Sequence, residues 1–365
     1  MTQEEADTVV IEKIRKVEAD ATGVAVAFFD DTAVFVLAEE AALFVPAEGG
    51  EHRLKLHDGG ILSSAADSRR LVTGGDDGHV VVSDQAGAIK CLFADDKGRW
   101  IDHLAAGRAG SIAWSAGKQA FYHAADGSER AIQVPSSVGG LAFAPDESVL
   151  AIAHYNGVML WEPAKDKQPT ELSCKGSHLD VSFSPDGQVL VTSMREPTLH
   201  AWQMPSKQDL PTPGYPTRVR SMDWTASGRF LATSGSDRLT LLSFQVKDNP
   251  LARMPLLLAP YRNIVATVAC HPTKEIVAVG YDDGLVLLVR IPDGAEIMIK
   301  PPDGRSISAM RWNSLGSQIG IASESGQCRV VSLGGNSLTQ AMPQTPFAGG
   351  ATDTAQAASG LISTA

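Results

Sequence analysis

The sequence is poor in cysteine and in long apolar runs, and each shortage excludes a class of protein. Its four cysteines, Cys91, Cys174, Cys270 and Cys328, lie far apart and form no C-x-x-C pair. We therefore expect buried, reduced thiols in strands rather than a disulfide or zinc framework. No stretch approaches the roughly 18 apolar residues that span a bilayer, and residues 1–20 lack the apolar core of a secretory signal. These features predict a cytoplasmic protein with no membrane span.

Basic charge is also scarce. Acidic residues outnumber basic residues 42 to 31, which gives a formal net charge of −11. An acidic surface repels phosphate backbones, so we expect no general nucleic-acid binding. The hydrophobic fraction of 44% is ordinary for a globular protein and supplies enough apolar side chains for a large core.

Local motifs for catalysis and cofactor binding are missing. The sequence has no P-loop, G-x-G-x-x-G, H-E-x-x-H, G-x-S-x-G or EF-hand pattern. The histidines His154, His178 and His200 fall at different repeat positions, so we interpret them as structural or exposed residues rather than metal ligands. Adjacent carboxylates such as Asp76-Asp77 are typical of turns. We therefore predict no catalytic residue, no metal and no cofactor, and we expect neither enzymatic activity nor a small-molecule ligand.

A repeat of about forty residues runs through most of the chain. Residues 141–161, 181–202 and 222–244 each read as an alternating apolar strand, a tight turn, a second strand, a polar turn and a third strand. Inner strands are predicted near Val24, Ile61, Ile101, Leu141, Val181, Met222, Val268 and Met310, at spacings of 37, 40, 40, 40, 41, 46 and 42 residues. The spacing is typical of four-stranded units. Because no long helical period intervenes, a parallel sheet with crossover helices is excluded.

Turn residues and tryptophans connect these repeats to a known family. The segments involved are Phe183-Ser184-Pro185-Asp186-Gly187, Phe143-Ala144-Pro145-Asp146, Thr73–Gly78 and Gly280–Gly284, with Trp161 and Trp202 in third strands. On these residues the chain resembles a WD40-repeat β-propeller over roughly 9–335. The resemblance implies an all-β ring of four-stranded blades. The sequence has no Trp-Asp pair and lacks Gly-His in most repeats, so the His, Ser/Thr, Trp and Asp tetrads typical of the family should be incomplete.

Eight inner strands predict eight blades, with seven as the alternative. The last unit supplies only three strands, between Ile307 and Leu333, and an unpaired edge is costly. We predict that Val9–Val17 closes the ring as the outermost strand of that unit. The alternative is an amphipathic helix, because Val10, Ile14 and Val17 are spaced 4 and 3 apart. Residues 1–8 are expected to be a flexible N-terminus and 336–365 a flexible, low-complexity tail.

The resemblance also implies a binding face, made by the loops that enter each inner strand and by the turns between second and third strands. Rigid strands hold such loops in place, and arginine and aromatic residues favour binding there. The candidates are Trp100, Tyr155, Arg195, Arg218, Arg220, Arg238, Arg262, Tyr281 and Arg305. They predict a non-enzymatic scaffold that binds a partner protein or an acidic peptide. The alternative, an enzyme or small-ligand receptor using the central channel, is disfavoured by mostly small and apolar inner-strand residues.

Overall fold

A computed structural model of the protein describes residues 11–67, 69–107, 109–165, 167–210, 212–244 and 254–334. Every regular element among these residues is a β-strand, and all strand pairs are antiparallel. The expected all-β class is therefore confirmed. The segments predicted to be flexible, 1–8 and 336–365, lie outside the described residues.

Most of the chain forms four-stranded antiparallel meanders. The first is β2 (Gly23–Phe29), β3 (Thr32–Leu37), β4 (Ala41–Val45) and β5 (His52–Lys55); the second is β6 (Ile61–Ala66), β7 (Arg70–Gly75), β8 (His79–Asp84) and β9 (Ile89–Ala94). The third is β10 (Leu104–Ala106), β11 (Ile112–Ala116), β12 (Gln119–His123) and β13 (Glu129–Gln133). Two more follow later, β20 (Met222–Trp224), β21 (Phe230–Thr233), β22 (Leu239–Ser243) and β23 (Leu256–Leu258), then β24 (Val265–Cys270), β25 (Ile276–Tyr281), β26 (Val286–Arg290) and β27 (Glu296–Lys300).

The middle of the chain forms one six-stranded sheet, so the described residues form seven sheets. Seven is the alternative number, and one of these sheets contains two of the eight predicted repeat units. It comprises β14 (Val138–Phe143), β15 (Leu150–Trp161), β16 (Thr170–Phe183), β17 (Val189–Met194), β18 (Leu199–Gln203) and β19 (Gln208–Leu210). Two repeat units merge here because β15 and β16 are long and each pairs with two different partners along its length. Seven of the predicted inner-strand positions lie within strands, and Ile101 lies just before β10.

The N-terminal strand closes the ring. β1 (Ile11–Glu18) pairs antiparallel with β30 (Gln327–Leu333), which continues through β29 (Gln318–Ser323) to β28 (Ile307–Trp312). Ile14 lies opposite Val331, and Val17 lies opposite Cys328. The predicted closing strand is confirmed for its described residues, and the helical alternative is wrong. The strand is favoured over a helix because it forms hydrogen bonds with the backbone groups of β30, which would otherwise be an open edge.

Eight clusters of buried apolar side chains hold the ring together. Each lies between neighbouring sheets or, in one case, between the two halves of the six-stranded sheet. In β3 the adjacent residues Phe35 and Val36 point to opposite sides, and each is fully buried in a different cluster. A strand buried on both faces needs apolar residues at consecutive positions. This explains the apolar run T-A-V-F-V-L of that strand.

The turn signature of the repeat acts through side-chain oxygens. Ser184 Oγ accepts a hydrogen bond from the Val189 amide at 2.9 Å, and Asp186 Oδ1 accepts one from the Gln188 amide at 3.0 Å. Gly187 adopts a φ of 70°, a conformation that other residues rarely take. The S-P-D-G sequence therefore fixes the reversal from inner to second strand and aims the rest of the unit outward.

Candidate partner-binding face

The loops that enter the inner strands and the turns between second and third strands lie at one end of the sheets, which we call the loop face. Backbone hydrogen bonds join the two kinds of loop. Arg195 N donates to Ser177 O at 2.9 Å, and Asp282 N donates to Ile264 O at 3.0 Å. Because strand direction alternates in an antiparallel meander, every predicted partner-binding residue falls at this same end.

Seven of the nine predicted residues are exposed on the loop face. Trp100 is 62% exposed and Tyr155 is 60% exposed, which is unusual for large aromatic side chains. The exposed arginines are Arg195, Arg218, Arg220, Arg262 and Arg305. Exposed aromatics and arginines are the residue types that dominate binding energy at protein interfaces.

The placement of Arg218 and Arg220 follows from the residue between them. Val219 is 1% exposed and packs in a cluster with Leu231, so the arginines on either side project outward. Thr217 N donates to Gly235 O at 3.1 Å, which ties this loop to the next turn. A Cβ on Gly235 would lie 2.9 Å from Thr217 O, and Gly235 has a φ of 91°. Glycine is therefore required for the loop to pack this closely.

Tyr281 is a correction to the predicted set. It is fully buried and its Oη donates to the Ala259 carbonyl, with its ring 4.9 Å from that of Tyr261 in an edge-to-face contact. Tyr281 continues the apolar alternation of β25 into the cluster between two sheets. Its predicted exposure is wrong, because an aromatic ring at the end of a buried strand gains more from packing than from facing water.

Two of the predicted arginines have an acidic neighbour within the chain. Arg238 Nε and Nη2 lie 2.7 and 2.9 Å from the carboxylate oxygens of Asp237, and this contact lowers the pKa of Asp237. Arg262 approaches Asp283 at 3.9 Å and lies over the ring of Tyr261. In the part of the chain that the structure describes, no carboxylate lies within 4.0 Å of the side-chain nitrogens of Arg195, Arg218, Arg220 or Arg305. These four guanidinium groups are therefore open to a partner.

Buried polar networks hold the loops rigid. His57 lies 2.9 Å from Thr73 Oγ1 and 3.0 Å from Asp77 Oδ1. Burial tends to raise the pKa of Asp77, but hydrogen bonds from His57 and from the His79 and Asp58 amides outweigh it and lower the pKa to about 2. The third-strand position that Trp202 occupies in a later unit is Ser83 in this one, so the tetrad lacks its aromatic member.

Other units carry different fragments of the tetrad. His178 Nδ1 lies 2.8 Å from Thr192 Oγ1, with its ring 5.9 Å from Trp202. In the next unit the Tyr215 hydroxyl lies 2.9 Å from Thr233 Oγ1 and takes the place of a histidine. The expectation of incomplete tetrads is confirmed.

The inner strands carry two carboxyl groups that the apolar interpretation of the channel did not predict. They are Asp180 and Asp223, and burial raises the pKa of Asp223. Asp223 Oδ2 accepts a hydrogen bond from the Cys270 amide at 2.7 Å and so links two neighbouring inner strands. Among the described residues, no group of three or more His, Cys, Asp or Glu side chains is arranged to hold a metal ion. The hydrogen bond between the Cys270 amide and Asp223 gives this carboxyl group a structural role.

Sequence and structure comparisons agree with this architecture. A model of the family "WD domain, G-beta repeat" matches residues 208–241, which run from β19 through β21 into β22. The matched repeat lies within a closed ring of antiparallel sheets. The chain is a β-propeller that contains a WD40 repeat. No curated protein matches the sequence.

A solved structure has the same fold over most of this chain. A crystal structure of the computationally designed Ika8 protein superposes with a TM-score of 0.67 at 17% identity, covering 86% of this chain and 97% of that one. At this identity the likeness concerns the fold alone. No helix in the described part of the propeller is long and apolar enough to cross a membrane. WD40 propellers are generally non-catalytic platforms for protein interaction.

The four cysteines form no disulfide bond. All four cysteines are free and lie in strands, although Cys91 is exposed and Cys174 is half-buried instead of buried as expected.

A cleft between Cys174 and Thr212 opens beside Tyr155 and Arg195. Sequence patterns missed it because its walls come from β16, from the turn after β17 and from the loop after β19. The flanking Gly176-Ser177-His178 was the only local signal.

Proposed function

We propose that the propeller is a non-enzymatic scaffold that binds an acidic segment of a partner protein on the loop face. The observation that carries this proposal is the set of four exposed arginines without a carboxylate partner among the described residues, Arg195, Arg218, Arg220 and Arg305. Guanidinium groups pair with carboxylates through two parallel hydrogen bonds. Because the strands beneath these loops are already ordered, binding requires little further ordering of the protein.

The charge balance supports a local rather than a global attraction. The whole chain carries −11, which opposes nucleic acid and most acidic surfaces. An acidic segment therefore gains only where arginines are concentrated, and this requirement makes binding selective. The proposed compartment is the cytoplasm, in line with four free cysteines.

The double variant Arg218→Glu, Arg220→Glu tests the proposal. We expect it to weaken binding of a fluorescein-labelled, glutamate-rich peptide by about a hundredfold, since two charge-assisted pairs are lost and replaced by repulsion. The measurement is fluorescence anisotropy at low salt, with the wild-type affinity falling as salt is added. A lysine-rich peptide of equal length serves as the ligand control and should not bind.

The matched protein control is Arg69→Glu, Arg229→Glu. Both residues are exposed at the end of the sheets opposite the loop face, so this variant has the same net charge as the test variant. It should bind the acidic peptide with the affinity of the wild type. Because the substituted sites are on the surface, the free energy of unfolding of both variants should lie within about 0.5 kcal/mol of the wild-type value. Equal affinity of the two variants would refute the proposal.

A further inference from the structure

The cleft on the loop face has an apolar floor and charged walls. Met194 and Leu199 form part of its lining and are 5% and 2% exposed, and the half-buried Cys174 adds a thiol whose pKa is raised by burial. Lys175 and Glu196 stand at the rim as exposed side chains. A floor of thioether, thiol and isobutyl groups favours an aliphatic side chain over a polar one.

Backbone contacts fix the cleft among the exposed residues of the loop face. Tyr155 pairs with Ser177 across β15 and β16, and Arg195 N donates to Ser177 O at 2.9 Å. Lys175 lies two residues before Ser177 on the same strand. One wall of the cleft is therefore continuous with Tyr155 and with the unpaired Arg195.

The opposite wall is continuous with the loop that carries Arg218. Thr198 bridges to Gly214, and Tyr215 N donates to Pro197 O at 2.8 Å. Thr198 and Thr212 line the cleft, and each donates its hydroxyl hydrogen to the Leu199 carbonyl. Because these hydroxyls are already satisfied within the protein, the wall offers methyl groups rather than free donors to a ligand.

We propose that this cleft is the anchor subsite of the loop face, which takes one aliphatic side chain of the partner segment while a neighbouring carboxylate pairs with Lys175 and Arg195. The inference rests on the proposed function and names the partner chemistry more closely: an aliphatic residue such as leucine next to glutamate or aspartate. Glu196 repels a carboxylate on its own side of the cleft, so the segment binds with its acidic residue toward Lys175.

Two peptides that differ at one residue test the subsite. Fluorescein-labelled peptides containing Glu-Leu-Glu and Glu-Ser-Glu are titrated with the full-length protein. We expect the leucine peptide to bind at least about tenfold more tightly than the serine peptide, because burial of the leucine side chain in an apolar pocket lowers the free energy of binding. Thr198→Trp, which fills the cleft from its wall, should abolish this preference. Thr170→Trp, at the far end of the same β16, is the matched control and should retain it.

Lys175→Glu gives a second measurement that leaves the cleft open. Because Lys175 is exposed, this variant should fold, and it should weaken both peptides about equally while keeping the leucine-to-serine ratio. Equal binding of the two peptides by the wild type, or an unchanged ratio in Thr198→Trp, overturns the subsite. If acidic peptides still bind and depend on Arg218 and Arg220, the proposed function stands without it. If neither peptide binds the wild type, both proposals fail.

Discussion

Replacing Val17 with aspartate should lower the free energy of unfolding by about 3–5 kcal/mol, because it buries a carboxylate in an apolar cluster. Val17 is 5% exposed and packs with Phe35 and Cys328 between the first and last sheets. Burial raises the pKa of the Cys328 thiol to about 12, which shows how poorly this cluster solvates a negative charge. Loss of β1 also leaves the edge of β30 unpaired, so the variant should aggregate.

The neighbouring residue supplies the control for this prediction. Lys16 is exposed on the same strand, so Lys16→Asp introduces the same side chain outside the cluster. Its unfolding midpoint in urea should stay close to that of the wild type, and it should elute at the same volume in size-exclusion chromatography. A V17D protein with the same midpoint as K16D would show that ring closure contributes little stability.

Acid should destabilise the propeller through His271. Burial lowers the pKa of His271 to about 4. The imidazole Nε2 donates to Gly316 O at 3.1 Å, while Nδ1 accepts from the Thr273 and Lys274 amides at 3.1 Å each. Protonation of Nδ1 breaks both of the latter bonds. The neutral ring therefore stabilises the fold fully above pH 6.5, and this contribution of about 3 kcal/mol is lost as the pH falls from 6.5 toward 4.

His271→Asn isolates this contribution. In the last sheet, Asn313 occupies the matching turn and its Oδ1 accepts from the Gln318 amide at 3.0 Å, so asparagine can satisfy the turn without titrating. The melting temperature of the variant should be equal to or lower than that of the wild type at pH 7.5, and higher than that of the wild type at pH 4.5. The exposed His52→Asn is the control and should follow the wild type at both pH values. Parallel curves for wild type and H271N would contradict the assignment.

Period-two alternation and turn spacing were enough to predict the ring from the sequence. Strand positions such as Val181 and Met310 follow from local patterns, because side-chain alternation reports directly which residues face a core. The closing strand was also predictable, since the last unit lacked a fourth strand and residues near Val17 could supply it. The same alternation placed Val219 inward and exposed its neighbours Arg218 and Arg220.

Other features depend on contacts between distant segments, which alternation does not report. The burial of Tyr281 is set by its hydrogen bond to Ala259 and its packing on Tyr261, and both of these residues precede β24 in the sequence. The merging of two units arises because β15 remains paired through the turn at Asn156, where a break was expected. The cleft escaped prediction for the same reason, as its walls join only when Thr198 meets Gly214.

The pairing of β1 with β30 also sets the order of events during synthesis. Ile11 emerges from the ribosome long before its partner Leu333 exists, and at 5–20 residues per second the wait is on the order of 15–60 s. Throughout that interval the first strand has no native neighbour on the last sheet, although the sheets between can form one after another. We therefore expect the pairing of β30 with β1 to be the last step in closing the ring of the nascent propeller.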